Sequence, residues 1–421
     1  MKRRSRGARW PLVAALAALA ASCVACEQER PPPRRRYVLP PEFDAARPDV
    51  VVPDRACALS ATPAVDLVVG NGYSRAMIAW SGTQYGVSWW RNDGGDLSVG
   101  FARVTAQGAP GATPARVTER GFTPGPPSLL WNGVSWSLLF EGGFGQDRGD
   151  IYQARVDARG AAVGAPWRMT RGVREDAEPF MATRPQGFAF TWVAREEHNR
   201  SVLYGQLLDR WDAPRSLAVR LLDTTATLAW PRAVWTGTQW AFTCLSARGE
   251  VQAVDLARLD ERGLPTGALR HASPDHIGGV DAASRYDVAW GGGSFGVVWS
   301  ELREGSTQVF FRPVSLRGNA LGSDVCVSQG APSAAEPVIA RVSEGVFAVA
   351  MRVTYDGLSR VWVRTVDANG VFQQGRVELQ GADGQAGTPS VVFDGESLGV
   401  ATASPRAVTF HRVTIGNCVA P

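Results

Sequence analysis

Residue types that perform catalysis or bind metals are few in this chain of 421 residues, which contains four His and six Cys. The four histidines, His198, His271, His276 and His411, are scattered, so a multi-histidine metal centre is not expected. No HExxH metal-binding motif and no GxSxG nucleophile elbow occurs. The Gly run at residues 291–293 has no Lys after it and is interpreted as a turn. We therefore predict no catalytic residues, no metal and no cofactor.

Charged side chains do cluster in loops. Residues 174–178 and 271–286 carry the most charge, and residues 147–150 and 196–198 add more. The predicted ligand-binding residues are Arg174, Glu175, Asp176, Asp275, His276, Asp281 and Arg285. A fold that brings these loops together would give a charged binding rim, because loops carry most binding residues. The alternative is an ordinary solvated loop surface.

The overall charge argues against a polyanionic partner. The chain has 44 Lys and Arg against 40 Asp and Glu, but five of the basic residues lie in residues 1–22, which contain no acid. The remaining 39 basic residues nearly balance the acids. A nucleic-acid partner is therefore not predicted, since binding to phosphates needs a positive field.

Residues 1–22 have the organisation of a secretory signal peptide. Basic residues occupy positions 2–4 and 6, and an apolar, Ala- and Leu-rich segment follows at residues 11–21. This segment is too short to span a bilayer, which takes about 20 residues. We therefore predict a cleaved signal peptide and an exported protein.

The residues at the end of this leader, Ala20-Ala21-Ser22-Cys23, resemble the bacterial lipobox. The resemblance implies that Cys23 is lipidated and that the protein is anchored in the outer membrane or on the cell surface. The sequence departs from the pattern at Ala20, where Leu is preferred, and Cys26 is a second candidate. The alternative is a periplasmic or secreted protein whose signal peptide is simply removed.

Residues 23–56 are predicted to be the lipidated N-terminus and a Pro- and Arg-rich tether. Prolines at 31–33 and 40–41 flank an Arg triplet at 34–36. Such a segment cannot build a core and favours extended conformations. The triplet could contact anionic lipid or wall polymer; a solvated linker is the simpler interpretation.

The remainder of the chain, residues 57–421, is a repeat. Each unit has an anchor position, usually bulky and often preceded by Pro at four residues, followed by a turn Gly. The anchors are Trp80, Trp131, Thr183, Trp235, Trp290, Arg341 and Phe393. Their spacing of 51 to 55 residues defines seven units.

The pattern of each unit predicts four antiparallel strands separated by Gly turns. A β-propeller blade consists of four such strands. We therefore predict an all-β, seven-bladed propeller of about 52 residues per blade. The last unit has three strands, and the extra strand Val65–Val69 is predicted to complete it. A disulfide between Cys57 and Cys418 would lock this closure in an oxidising compartment. Cys244 and Cys326 are predicted to be unpaired thiols.

Trp80, Trp131, Trp235 and Trp290 occupy the same repeat position. We predict that they fill space between neighbouring blades. The alternative is a ring of aromatic side chains for stacking sugars.

With its leader and repeat, the chain resembles the secreted, lipid-anchored β-propeller proteins of Gram-negative bacteria such as myxobacteria. The resemblance implies fold and location, and fold alone carries no activity. We predict a monomeric, non-catalytic binding or scaffold protein, held to the membrane only by its lipid anchor, that recognises an envelope protein or glycan through loops on one face.

Two other functions remain open. One is a carbohydrate-active hydrolase or lyase with rim carboxylates such as Asp176 and Asp275, which an uncharged channel mouth would exclude. The other is a structural subunit of a surface complex, for which one face should expose an apolar patch.

Overall fold

The computed structural model describes residues 59–416, except for residues 145–148, 172–173, 186, 199, 212, 250, 274–275, 278–284, 304, 373–374 and 382. The regular structure in these residues consists of 30 strands in seven antiparallel sheets. The innermost strands of successive sheets contact one another around a ring. The fold is the predicted seven-bladed β-propeller.

The first half of the described chain contains two short strands and three blades. The leading strands are β1 (Leu59–Ala61) and β2 (Val65–Val69). Blade 1 contains β3 (Tyr73–Trp80), β4 (Gln84–Asp93), β5 (Asp96–Thr105) and β6 (Ala115–Arg116). Blade 2 contains β7 (Ser128–Trp131), β8 (Trp136–Gly142), β9 (Asp150–Val156) and β10 (Trp167–Arg168). Blade 3 contains β11 (Glu175–Arg184), β12 (Gly187–Glu196), β13 (Arg200–Leu208) and β14 (Val219–Thr224).

The second half contains the other four blades. Blade 4 contains β15 (Thr227–Trp235), β16 (Trp240–Arg248), β17 (Val251–Leu259) and two short outer strands, β18 (Arg270–His271) and β19 (His276–Ile277). Blade 5 contains β20 (Tyr286–Trp290), β21 (Phe295–Arg303), β22 (Ser306–Val314) and β23 (Val325–Cys326). Blade 6 contains β24 (Ala334–Ser343), β25 (Val346–Tyr355), β26 (Leu358–Asp367) and β27 (Val377–Leu379). Blade 7 contains β28 (Thr388–Phe393), β29 (Ser397–Ser404) and β30 (Ala407–Ile415).

The N-terminal strands complete blade 7. Val65 pairs with Phe410, as the prediction required, so β2 fills the outer edge of the last sheet. The sequence did not predict β1, which pairs Leu59 with Ile415 farther along the same strand. Cys23, Cys57 and Cys418 lie outside the described residues, so the lipid anchor and the disulfide stay predictions. Cys244 and Cys326 are free thiols.

Aromatic side chains at the start of the second strands of blades 1 to 6 join neighbouring blades. Trp136 of blade 2 is fully buried and lies 5.5 Å, centroid to centroid, from Phe101 of blade 1. Gly86 makes this approach possible, because a Cβ at this position would lie 2.7 Å from the Trp136 ring. The core is therefore a series of seven clusters between blades. Six of them contain several buried aromatic rings, and the buried members of the cluster between blades 6 and 7 are all aliphatic.

The hairpins between third and fourth strands share a turn that the sequence signals with Asp and Gly. In blade 2, Asp157 Oδ1 accepts hydrogen bonds from the backbone N–H groups of Arg159 and Ala161, at 2.9 and 2.8 Å. Gly160 takes a left-handed conformation with φ of 92°. The hairpins starting at Asp260 and Asp367 repeat the same bonds.

Because the strands alternate in direction, each blade presents its loops at two faces of the ring. We call the face where innermost strands begin the front face; it also carries the loops between second and third strands. We call the opposite one the back face; it carries the turns after the innermost strands and the hairpins between third and fourth strands. A central channel opens at both faces.

Candidate functional site at the front mouth of the channel

At the front mouth of the channel, one position of the repeat contributes a lining residue from every blade. Each precedes its repeat anchor by five residues, so the repeat itself places the seven side chains in a ring. The set is Arg75, Pro126, Glu178, Trp230, Arg285, Glu336 and Thr388. They line a cavity of about 410 Å³. The cavity has the size of a small-molecule site.

Four of the seven residues have an unusual backbone. Arg75, Glu178, Trp230 and Glu336 have positive φ values of 45° to 54°. Each lies in a β-bulge, where the register of the innermost strand shifts by an extra residue. Bulges redirect side chains beside functional sites, and left-handed non-Gly residues carry backbone strain. The ring is thus held in a conformation that ordinary strand pairing would not produce.

Two arginines lie over the ring of Trp230. The guanidinium carbon of Arg75 lies 4.2 Å from the ring centroid, and that of Arg285 lies 4.4 Å from it. Arg75 comes from blade 1, whereas Trp230 and Arg285 come from blades 4 and 5, so Arg75 reaches across the channel. Cation–π contacts of this kind favour the charged form where water is partly excluded.

The two arginines differ in their anionic partners. Arg285 Nη2 lies 3.5 Å from Glu336 Oε1. The other oxygen of Glu336 accepts hydrogen bonds from Arg352 Nε at 2.9 Å and from Thr388 Oγ1 at 2.6 Å. Arg75 forms no ion pair with any other residue that the structure describes. The positive charge of Arg75 is therefore compensated only by the face of the Trp230 indole and by more distant acids.

Two further carboxylates hold the bulges in place. Glu141 Oε2 accepts a hydrogen bond from the backbone N–H of Glu178 at 3.1 Å, and Glu178 in turn accepts one from the backbone N–H of Trp230. This chain of contacts links blades 2, 3 and 4. It fixes the backbone that carries Trp230 and satisfies N–H groups that the bulges remove from the strand ladders.

Burial and neighbouring charges shift several pKa values at the mouth. Burial, with the nearby Arg285, lowers the pKa of Arg75 to about 10. Burial also lowers the pKa of Arg285, with Arg232 and Arg352 acting in the same direction. Burial raises the pKa of Glu141. Burial also acts to raise the pKa of Glu336. Arg285 and Arg352 outweigh this effect and hold the pKa of Glu336 below its ordinary value. Two carboxylates at one mouth are thus driven in opposite directions.

Of the residues predicted from the sequence, Arg285 lies in the front mouth and Arg174, Glu175 and Asp176 do not line it. Asp176 has no exposed surface. Its Oδ1 accepts hydrogen bonds from Arg174 Nε at 2.9 Å and from Trp192 Nε1 at 3.1 Å. Burial raises the pKa of Asp176 despite the Arg174 charge.

This arrangement gives Asp176 contacts within the protein and leaves none of its surface for a ligand. Glu175 is exposed and pairs with Arg195 at 3.4 Å. Asp275 and Asp281 lie outside the described residues. The backbone of His276 pairs with Gln252, and its side chain is not among those described. Ligand binding by these loop residues stays a prediction.

Arg75, Trp230 and Glu336 line the mouth but were not predicted from the sequence. A signal for two of them was present, because Trp230 and Glu336 directly precede the repeated Pro, as Glu178 does. The residue immediately before the repeated Pro differs from blade to blade, and this residue lines the channel.

The tryptophans at the repeat anchors lie at the other end of the channel. Each packs on the first aromatic of the next strand in its own blade; the ring centroids of Trp235 and Trp240 are 5.1 Å apart, and those of Trp131 and Trp136 are 4.9 Å apart. Each also belongs to a cluster between blades, which agrees with the packing prediction. Their exposed sides line a back cavity of about 800 Å³ together with Arg184 and Arg341.

Among the described residues, no group of three or more His, Cys, Asp or Glu side chains could hold a metal ion. No helix in the same part of the chain has the length and hydropathy to cross a bilayer.

These features define a β-propeller with a charged front mouth. No protein-family model matches the chain, and neither does any curated protein. Solved structures do. A polysaccharide lyase superposes with a TM-score of 0.54 at 10% identity, covering 82% of this chain and 90% of the lyase.

Two other similar structures are longer proteins. A Hadza microbial sialidase has a TM-score of 0.50 at 10% identity, covering 82% of this chain and 66% of the sialidase. A puromycin-hydrolysing peptidase of Mycobacterium tuberculosis has a TM-score of 0.50 at 12% identity, covering 84% of this chain and 54% of the peptidase. The chain thus spans about half the length of the peptidase. At these identities the likeness establishes the fold alone.

Proposed function

We propose that this protein is a binding propeller whose front mouth takes the carboxylate of an acidic sugar. The observation that carries the proposal is the pair of arginines over Trp230, one of which has no anionic partner among the described residues. Two like charges held in a partly buried cavity repel each other. An anion placed between them removes that cost.

The chemistry of the three side chains fits a carboxylated sugar ring. A guanidinium offers two parallel N–H donors that match the two oxygens of a carboxylate. The indole ring offers an apolar face for the C–H groups of a sugar, and the cavity of about 410 Å³ accommodates one such unit. The names of the lyase and the sialidase among the similar structures make carbohydrates the first class to test.

The test is calorimetric titration of the protein with galacturonic acid, N-acetylneuraminic acid and neutral galactose. We expect an acidic sugar to bind, galactose to bind at least about tenfold more weakly, and Arg75→Asn to lose at least about tenfold in affinity. Asn is chosen because it tolerates positive φ. Arg184→Asn is the matched control, since Arg184 lies over Trp235 at 5.3 Å in the back cavity. Equal affinity for galactose, or equal loss in both variants, would contradict the proposal.

A second candidate is a hydrolase or lyase that acts on an acidic polysaccharide. The mouth is charged, so the condition that would exclude this alternative is not met. Its specific support is that the pKa of Glu141 is raised by burial, whereas Arg285 and Arg352 lower that of Glu336. Carboxylates whose pKa values move apart can divide the roles of acid and base. In this candidate Glu141 and Glu336 replace Asp176 and Asp275 as the working carboxylates.

The enzyme candidate is tested by incubating the protein with polyuronate and sialylated oligosaccharides and following new reducing ends or unsaturated products. Turnover that Glu141→Gln abolishes, with sugar binding retained, would establish the enzyme. Binding without turnover would leave the binding propeller as the function.

A further inference from the structure

The back face carries exposed arginines without anionic partners. Six of them, in turns and hairpins of blades 2 to 6, are Arg159, Arg210, Arg215, Arg262, Arg317 and Arg341. None forms an ion pair with another described residue. Among the residues described on this face, the exposed acids are fewer, namely Glu261, Glu344 and Glu396. The hairpin carboxylates of Asp157 and Asp260 are half-buried and accept backbone N–H groups.

Apolar side chains accompany these arginines. The hairpins between third and fourth strands of blades 2 to 6 each expose at least one aliphatic side chain to solvent, with exposed fractions from 50% to 87%. They are Val163, Leu217, Leu264, Leu321 and Val371. Exposed apolar residues also occur on the front face, but only here do they recur at the same hairpin in five successive blades. The back face therefore presents an exposed apolar side chain beside the arginines in each of these five blades.

The first strand of the described chain lies at this same face. Leu59, the first described residue, pairs with Ile415 at the end of β30, a third strand that ends at the back face. The described chain therefore begins on the side of the arginines and apolar tips.

From these observations we infer that the back face docks on an anionic lipid surface. Its contacts come from hairpins distributed around a ring, so a flat partner can meet all of them together. Arginines near a membrane are attracted to anionic headgroups, and apolar side chains beside them enter the boundary between headgroups and acyl chains. This contact would act in addition to the lipid anchor predicted at Cys23, and it leaves the front mouth facing away from the membrane.

The inference is tested by flotation with vesicles of phosphatidylcholine, with and without phosphatidylglycerol. The protein is the chain from residue 23 to 421 carrying Cys23→Ser, so that no acyl group contributes. We expect binding to the anionic vesicles that falls at high salt, because the attraction is screened. We expect little binding to pure phosphatidylcholine.

Two variants with equal net charge identify the face. The back-face variant combines Arg159→Gln, Arg262→Gln, Arg317→Gln and Arg341→Gln. The front-face control combines Arg120→Gln, Arg171→Gln, Arg195→Gln and Arg406→Gln, all exposed. Both keep the Arg triplet at 34–36, so the tether contributes equally, and thermal melting checks that both fold.

The back-face variant is expected to lose at least about tenfold in vesicle binding, and the control less than about twofold. Equal losses would mean that total charge rather than this face binds lipid, and would overturn the inference. Absence of binding by the parent chain would also overturn it and direct the search to an acidic protein partner.

Discussion

The front and back faces of this propeller both carry many arginines, but the arginines have different partners. On the front face most are paired, as in Arg91 with Asp93 at 2.6 Å and Arg116 with Asp96 at 2.7 Å. On the back face, exposed residues such as Arg262 and Arg317 have no ion-pair partner among the described residues. The difference indicates that most front-face arginines pair with acids of the protein itself, whereas the exposed back-face arginines can pair with another molecule.

One front-face arginine without an ion-pair partner among the described residues, Arg75, lies in the channel mouth rather than on the open surface. A charge left without a partner in a closed cavity favours a small ligand, and charges left without partners on an open ring favour an extended surface. Four predictions test this contrast, from the largest expected effect to the smallest.

The first separates the core from the open back cavity. Trp240→Ala should lower the free energy of unfolding by about 3–5 kcal/mol, because the ring is fully buried between blades. Trp235→Ala, which removes a half-exposed ring packed on Trp240, should cost about half as much. Denaturant titration of both variants measures the difference. Equal losses would mean that the back cavity is as closed as the core.

The second compares carboxylates of the two faces. Glu336→Gln should lower the free energy of unfolding by about 2–3 kcal/mol, because Arg285 and Arg352 lose their shared anion in a poorly solvated site. Glu396→Gln should change it by less than about 0.5 kcal/mol, because Glu396 is 83% exposed beside Arg412. Thermal and denaturant unfolding measure both losses. The same loss for the two substitutions would contradict the buried, paired role given to Glu336.

The third concerns the interior that both faces share. Burial lowers the pKa of His411 from 6.5 to about 4, and its Nε2 has no hydrogen-bond partner among the described residues. The unfolded chain therefore binds a proton at a pH where the folded chain does not, so stability falls as the pH drops below 6.5. We expect a loss of about 2 kcal/mol between pH 7 and pH 5.

His411→Leu should remove this part of the pH dependence, and unfolding curves at a series of pH values would measure it. Glu336 acts in a different window. Its pKa is lowered by folding, so its contribution is present above its ordinary value of 4.5 and is lost as the pH falls further. An unchanged slope between pH 7 and pH 5 in the His411 variant would refute the assignment.

The fourth compares single arginines. Arg168→Gln should cost about 1 kcal/mol, because Arg168 pairs with the buried carboxylate of Asp150 on the front face. Arg262→Gln should leave stability within about 0.5 kcal/mol, since its side chain is exposed and forms no ion pair with a described residue. Chemical denaturation resolves the two values. A larger loss for the back-face arginine would contradict the contrast between the faces.

The fold could be predicted because the sequence repeats at a regular period. The anchors from Trp80 to Phe393 recur closely enough to count seven blades, and Val65–Val69 is an apolar strand without a partner in its own unit. The pairing of Leu59 could not be predicted, because β1 is a three-residue segment whose pairing depends on the neighbouring end of β30.

The site could be predicted only in part. Charge content identified Arg285, which lies in the mouth, but the same criterion selected Asp176, which is buried against Trp192. Charge in a loop does not distinguish a ligand contact from an internal ion pair. Arg75 was missed because its partner in the mouth, Trp230, is distant in sequence, and their contact exists only once the ring closes.

The closure of the ring has a consequence for biosynthesis. Val65 pairs with Phe410, so one of the first strands to be made waits for one of the last. At a synthesis rate of about 5–20 residues per second, the intervening chain takes tens of seconds to appear. During that interval the apolar edge of β2 is open to other chains. Delivery in an unfolded, chaperone-protected form, followed by folding in one step after release, would avoid this hazard.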